Sequence, residues 1–340
     1  LVTLMGCNDA IEIRQPGRLD AENAFKTTND LNSGLLAVYD DWDLTPEISL
    51  SANFTDEIAI GFDSGGQGFA LYDFVMNAAS AAPRNFWVRN FQLNNRASIL
   101  LAAAENITPE SIAEQAQYND ILAQTHFIRA YANFEMLTYF SVDIRDDSSL
   151  GIPVIDFVAP LDIQPTRNTT GEVWDYINSD ISKARSLSGT QSSTTFISID
   201  AIDALRARMA LTRGDYPTAQ VLAAQLLAKY GIADRTQYAA MFLDNDDTEV
   251  IFKLERTVND NYDGQVNTGS VDTGGGWAGS VFAFVTAELS GSPYFEMDRS
   301  VFDALDTDDI RYDVNVAPTS VISPDYENDP DPVNNDILVI

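Results

Sequence analysis

Apolar positions along the chain recur mostly at helical spacing, and strand-like alternation is rare. Ala24, Phe25, Leu31, Leu35, Leu36, Val38 and Tyr39 trace one apolar helix face from Ala21 onward. Helical patterning returns over 86–104. It resumes after a Thr108-Pro109-Glu110-Ser111 start signal and runs to about Phe140. A further helix is expected from Thr170 to Leu187, capped by Thr169 or Thr170, with Glu172 in its first turn. Residues 41–75, interrupted by Pro46 and by Gly65, Gly66 and Gly68, read as an irregular excursion. Residues 150–168 read as an extended, Pro-bearing connector, Glu249–Lys253 as a short strand, and 257–280 as a Gly-, Asn- and Asp-rich loop.

The clearest local architecture lies in 198–230. One helix carries Ala204, Leu205, Ala207, Arg208, Ala210 and Leu211; Gly214 ends it, Asp215 caps the next, and Pro217 fits that helix's first turn. The second helix is expected from Thr218 to Tyr230, ending at Gly231. Small residues on facing turns allow close approach, and the Gly214-Asp215-Tyr216 turn resembles that of a tetratricopeptide hairpin. Stacked pairs of this kind make a right-handed solenoid with a continuous core. The expected fold is therefore mainly α, a tetratricopeptide-like helical-hairpin solenoid with irregular loop excursions and few short strands.

Composition narrows the function. Of 340 residues, 45% are hydrophobic and 10% aromatic, enough for a large core, so the acidity belongs to the surface. The formal charge is −31, which disfavours nucleic acid and anionic lipid surfaces as partners. With one Cys and one His, an internal disulfide, a Cys-based zinc cluster and a histidine-rich metal site are excluded.

The single Cys is itself informative. Leu4-Met5-Gly6-Cys7 resembles a bacterial lipobox, with a small residue before the thiol that would receive the lipid. Residues 1–6 then read as a signal-peptide remnant and 7–20 as a lipidated tether. Asp9 and Glu12 resemble the surface-export signal of Bacteroidota lipoproteins.

The order of segments carries a wider resemblance. His126–Phe140 (HFIRAYANFEMLTYF) is followed by Gly151-Ile152-Pro153-Val154, then by Arg167–Trp174 (RNTTGEVW) and Asp180-Ile181. Ala204–Arg208 (ALRAR) and Gly214-Asp215-Tyr216 complete the series. This succession resembles the SusD/RagB family of surface glycan-binding lipoproteins, and the resemblance spans 21–340. It implies a non-catalytic protein, lipid-anchored at Cys7 on the extracellular side of the outer membrane. Its implied task is to deliver a glycan to a SusC-like, TonB-dependent transporter. It also implies that this domain is truncated before its C-terminal helical part. A peptide-uptake role of the RagB type is the alternative, and a carboxylate-pair glycoside hydrolase a lesser one.

Sugar binding without catalysis calls for flat aromatic faces on polar, glycine-rich loops. Trp277, between Gly276 and Ala278 after three glycines, is either such a platform or a plug holding its loop to the core. Tyr262 has similar surroundings. Phe69, Tyr72 and Asp73 form a second cluster beside Gly65–Gly68, and Trp42 follows the first helix. Trp87 and Trp174 read as core. His126 reads as a structural histidine and Arg129 as a buried bridge between helices. Asp244, Asp246 and Asp247 form an oxygen-rich turn that could take Ca²⁺, though without an EF-hand pattern; no other cofactor is expected. A neutral glycan fits the overall charge better than an anionic one.

Overall fold

The computed structural model describes residues 24–255 and 295–316, apart from 56, 61–68, 78, 161 and 190–192. The leading helix, α1 (Thr28–Asp40), opens on a capping box. The Thr27 hydroxyl accepts from Asp30 N, and the Asp30 carboxylate accepts from Thr27 N at 2.9 Å. Its buried stripe is Leu31, Leu35, Val38 and Tyr39. Gly34 lets α1 lie close to its neighbours: a Cβ there would stand 2.7 Å from Leu100 Cδ1 and 2.6 Å from Phe25 Cε1.

The expected irregular excursion contains more order than its composition suggested. Pro46 does not break structure; it occupies the first turn of α2 (Thr45–Asn53), where a missing N–H costs nothing. The strand β1 (Ile58–Ile60) and the single turn α3 (Phe69–Tyr72) follow.

Two long helices form the centre. The helix α4 (Ala81–Ala104) packs along α5 (Ile112–Phe140), and α5 packs along α6 (Thr170–Leu187). Ser111 caps α5, accepting from Glu114 N, as the start signal indicated. From Ile121 to Leu137 α5 is buried on nearly every side. Thr169 and Glu172 form the capping box of α6.

The connector between α5 and α6 folds back on itself. Gly151 N donates to Asn168 O, and Asn168 N to Ile152 O, at 2.8 and 3.1 Å. Arg167 donates to the Phe140, Gly151 and Leu150 carbonyls, tying the connector to the α5 C-terminus. Two of the segments that carry the sequence resemblance thus meet in one clasp.

The hairpin appears where expected, as α7 (Ile199–Arg213) and α8 (Tyr216–Tyr230). Gly214 sits at φ +86, in the left-handed conformation that a tight helix end demands. Asp215 caps α8 by accepting from Thr218 N, so α8 begins two residues before the sequence expectation. A short α9 (Arg235–Phe242) follows.

Glu249–Lys253 is not a strand. Ile251, Phe252 and Leu254 pack on the core, but the segment's backbone bonds among the described residues are a turn, Val250 N to Asp247 O, and one link, Lys253 N to Thr194 O, rather than a ladder. The two-stranded sheet instead pairs β1 with β2 (Phe295–Met297), antiparallel, with Ile58 opposite Met297 and Ile60 opposite Phe295. Two short helices, α10 (Arg299–Ala304) and α11 (Tyr312–Asn315), complete the described chain. Among the described residues no helix is long and apolar enough to cross a membrane.

Candidate functional site

The β1–β2 ladder lies beside α3, which bears two of the sequence's aromatic candidates, Phe69 and Tyr72. Ile60 and Phe295 face each other at one end of the ladder. Tyr262, Trp277 and Cys7 lie outside the described residues. Both α2 and α3 pack on β1.

On this excursion Phe69 is 47% exposed, Tyr72 is half-buried, and Asp73 is exposed at the end of α3. The sequence reading passed over their neighbour Phe74, which is 62% exposed. Phe74 N donates to Leu71 O and Val75 N to Ala70 O, the paired bonds of a Schellman helix end. Its φ is +58, so a phenylalanine holds the left-handed position that Gly214 fills at the end of α7. A bulky side chain there costs roughly 1–2 kcal/mol. The Phe74 ring stands edge-on to Phe54 at 5.3 Å and leaves much of its surface to solvent. Val75 and Met76 are exposed beside it. No periodic pattern could have signalled Phe74, because α3 is a single turn.

Trp42 is corrected. It is 3% exposed, in the core, with Tyr131 at 4.8 Å and Phe252 stacked at 5.6 Å. The acidic Asp40-Asp41-Trp42-Asp43 surroundings suggested exposure, but the chain turns inward after α1. Trp174 is buried, and Trp87 is partly buried against the same core, as expected.

The calcium expectation at Asp244, Asp246 and Asp247 is also corrected. The Lys253 ammonium contacts Asp244 and lies 2.9 Å from Asp247, while Asp246 accepts from Thr248 N. A fixed cation of the chain itself already sits between Asp244 and Asp247 and offsets part of the turn's charge. No group of three or more His, Cys, Asp or Glu among the described residues could hold a metal ion.

His126 and Arg129 form part of a buried polar bolt. Asp180 accepts from Arg129 Nε and Nη2 and from His126 Nδ1, all at 2.8 Å. Arg129 also donates to Ser98, and Asn133 donates to Asn94 at 2.7 Å, so α4, α5 and α6 are joined. Burial pushes the Asp180 carboxyl up, but hydrogen bonds from Arg129 and His126 outweigh it and hold the group below its ordinary range. This arrangement suits a bridge between helices.

A groove of about 560 Å³ lies between α6 and α7, lined by Glu172, Asp175, Asn178, Arg206 and Arg213. Trp174 borders it, but its ring is buried and Arg213 lies over it at 5.3 Å, so no open aromatic face is presented there. The surface aromatics of the excursion meet the requirement for pyranose stacking better.

Residues 49–211 match the SusD-like family described as starch-binding and associating with the outer membrane. Over that stretch the sequence is similar to the family, and the chain shares the fold of SusD superfamily structures. A Bacteroides vulgatus structure superposes with a TM-score of 0.70 at 18% identity, covering 87% of this chain and 66% of its own. A SusD superfamily protein from Bacteroides thetaiotaomicron gives 0.69 at 18% identity, covering 92% and 73%. Another from Bacteroides vulgatus gives 0.61 at 23% identity, covering 69% and 56%. The chain thus spans between about half and three quarters of the length of these structures. No curated protein matches it by sequence.

Proposed function

We propose that this SusD-like chain captures a neutral oligosaccharide or polysaccharide on the excursion beside the β1–β2 ladder, without catalysis. It hands the glycan to a SusC-like, TonB-dependent transporter, tethered by a lipid on Cys7 to the extracellular side of the outer membrane. Residues 1–6 are the remnant of its signal peptide, and 7–20 its tether. The observation that carries the reading is the ladder itself. Its first strand, β1, packs against α3, which opens on exposed Phe69 and is followed by exposed Phe74. The family description, starch-binding and outer-membrane associating, supports the ligand class and the location.

The proposed contacts are Trp277, Tyr262, Phe69, Tyr72, Asp73 and Phe74. Aromatic faces take the apolar faces of sugar rings, and Asp73 takes a hydroxyl. Affinity electrophoresis of the full chain through gels containing neutral polysaccharides tests this. Retardation by at least one polysaccharide is expected, with no reducing ends released, and Trp277→Ala and Phe74→Ala should abolish it. Retention by no glycan together with capture of peptides overturns the reading in favour of peptide uptake. Release of reducing sugar overturns it in favour of hydrolysis.

A further inference from the structure

Away from the aromatic face, one buried group is left without a hydrogen bond. Glu135 lies on α5 with its side chain 1% exposed, and neither carboxylate oxygen has a hydrogen-bond partner. The groups acting on it come from three helices. Glu47 faces it from α2, and Arg208 Nη1 lies 3.0 Å from Oε1 from α7. Tyr131 and Tyr139 flank it on α5 itself. Tyr131 donates to Glu47 Oε2 at 3.3 Å, and Arg208 Nη2 stands 3.8 Å from Glu47 Oε1. Two carboxylates against one guanidinium leave an excess negative charge in a desolvated place, a costly arrangement. Two ionised carboxylates are acceptors only, so contact between them becomes a hydrogen bond once one carries a proton.

We propose that Glu47 and Glu135 share one proton beneath Arg208, and that this acid–carboxylate pair is a latch fastening α2, the base of the excursion, to α5 and α7. With the proton in place the cluster is neutral: one carboxylic acid, one carboxylate and one guanidinium. When the proton leaves to solvent the cluster carries −1, and the bond between α2 and α5 becomes a repulsion. Burial and the Glu47 charge push Glu135 up to about 8, with Arg208 pulling the other way. The same surroundings raise Tyr131 and Tyr139, so both stay protonated and do not compete for the charge.

The linkage has a definite sign. Folded Glu135 keeps a proton that the unfolded chain releases above the ordinary value of 4.5. The latch is therefore at full strength below about pH 4.5 and is lost as pH rises towards 8. The full chain, labelled with ¹³C at the glutamate side-chain carboxyl, tests this by NMR titration. One resonance is expected to titrate near pH 8, to vanish in Glu135→Gln and to move to lower pH in Glu47→Gln. Hydrogen exchange of α2 amides, corrected for intrinsic rates, should accelerate on the order of tenfold from pH 6 to 9 in the wild type but not in Glu135→Gln. If every glutamate titrates in the ordinary carboxylate range, there is no shared proton. If the α2 acceleration persists in Glu135→Gln, the pair is not the latch. Should Glu135→Gln fail to fold, the wild-type titration and Glu47→Gln still decide.

Discussion

Replacing Phe74 by glycine and by alanine separates the strain at that residue from its use. The left-handed backbone costs Phe74 roughly 1–2 kcal/mol. Against this stand its edge-on contact with Phe54 at 5.3 Å, about 0.5–1.5 kcal/mol, and its partial burial. The ring is 62% exposed, so its burial supplies only about 1 kcal/mol. Phe74→Ala forfeits both contacts and keeps the strain, for a loss of roughly 1–3 kcal/mol. Phe74→Gly forfeits the same contacts but relieves the strain, and should fall within about 1 kcal/mol of the wild type. Glycine should therefore melt above alanine, by about 1 kcal/mol in stability, in parallel thermal denaturation. Both variants lack the ring and should lose glycan retardation equally. An alanine variant as stable as the glycine one refutes the left-handed strain. Retardation like the wild type in both variants refutes the ring as a contact.

Other outcomes follow from the interior. Asp180→Asn leaves the Arg129 guanidinium buried without its carboxylate and should cost about 3–5 kcal/mol by urea denaturation at neutral pH. Because Asp180 is held below its ordinary 3.8, its stabilisation is complete above that value and declines as pH falls further; Asp180→Asn should flatten this acid limb of the stability profile. Trp42→Ala should destabilise the chain by about 3–5 kcal/mol yet leave glycan retardation intact below its melting temperature, the reverse of Trp277→Ala. Gly214→Ala, at φ +86, should cost about 1 kcal/mol or more in thermal denaturation.

Where sequence and structure agree, the information is local. The caps at Ser111, Thr169 and Asp215, and the stop at Gly214, are each decided within four or five residues, so the helices they bound could be read from the chain. The first helix, expected from Ala21, instead starts at Thr28 behind the Thr27 cap. What escaped depends on distant partners. Trp42 sits in acidic company in sequence, but its ring meets Phe127 and Phe252 from far along the chain. Glu249–Lys253 has strand-like composition but no strand beside it among the described residues. Pro46 is punctuation in a loop and an asset at a helix start, and only the helix shows which applies. Phe74 and Glu135 were invisible because their interest lies in a dihedral angle and in a missing hydrogen bond. Neither leaves a mark in residue type.

The ladder between Ile58–Ile60 and Phe295–Met297 joins strands more than 230 residues apart. That separation sets an order of events during synthesis. At about 5–20 residues per second, β1 waits roughly ten to fifty seconds for its partner to be made. The central helices and the hairpin rest on nearer contacts and can pack during that interval. A chain that stops short of β2 could therefore hold a folded solenoid while lacking the junction on which its proposed ligand face is built. The ladder acts as a checkpoint: on this reading, only a polypeptide that already includes β2 becomes competent to bind.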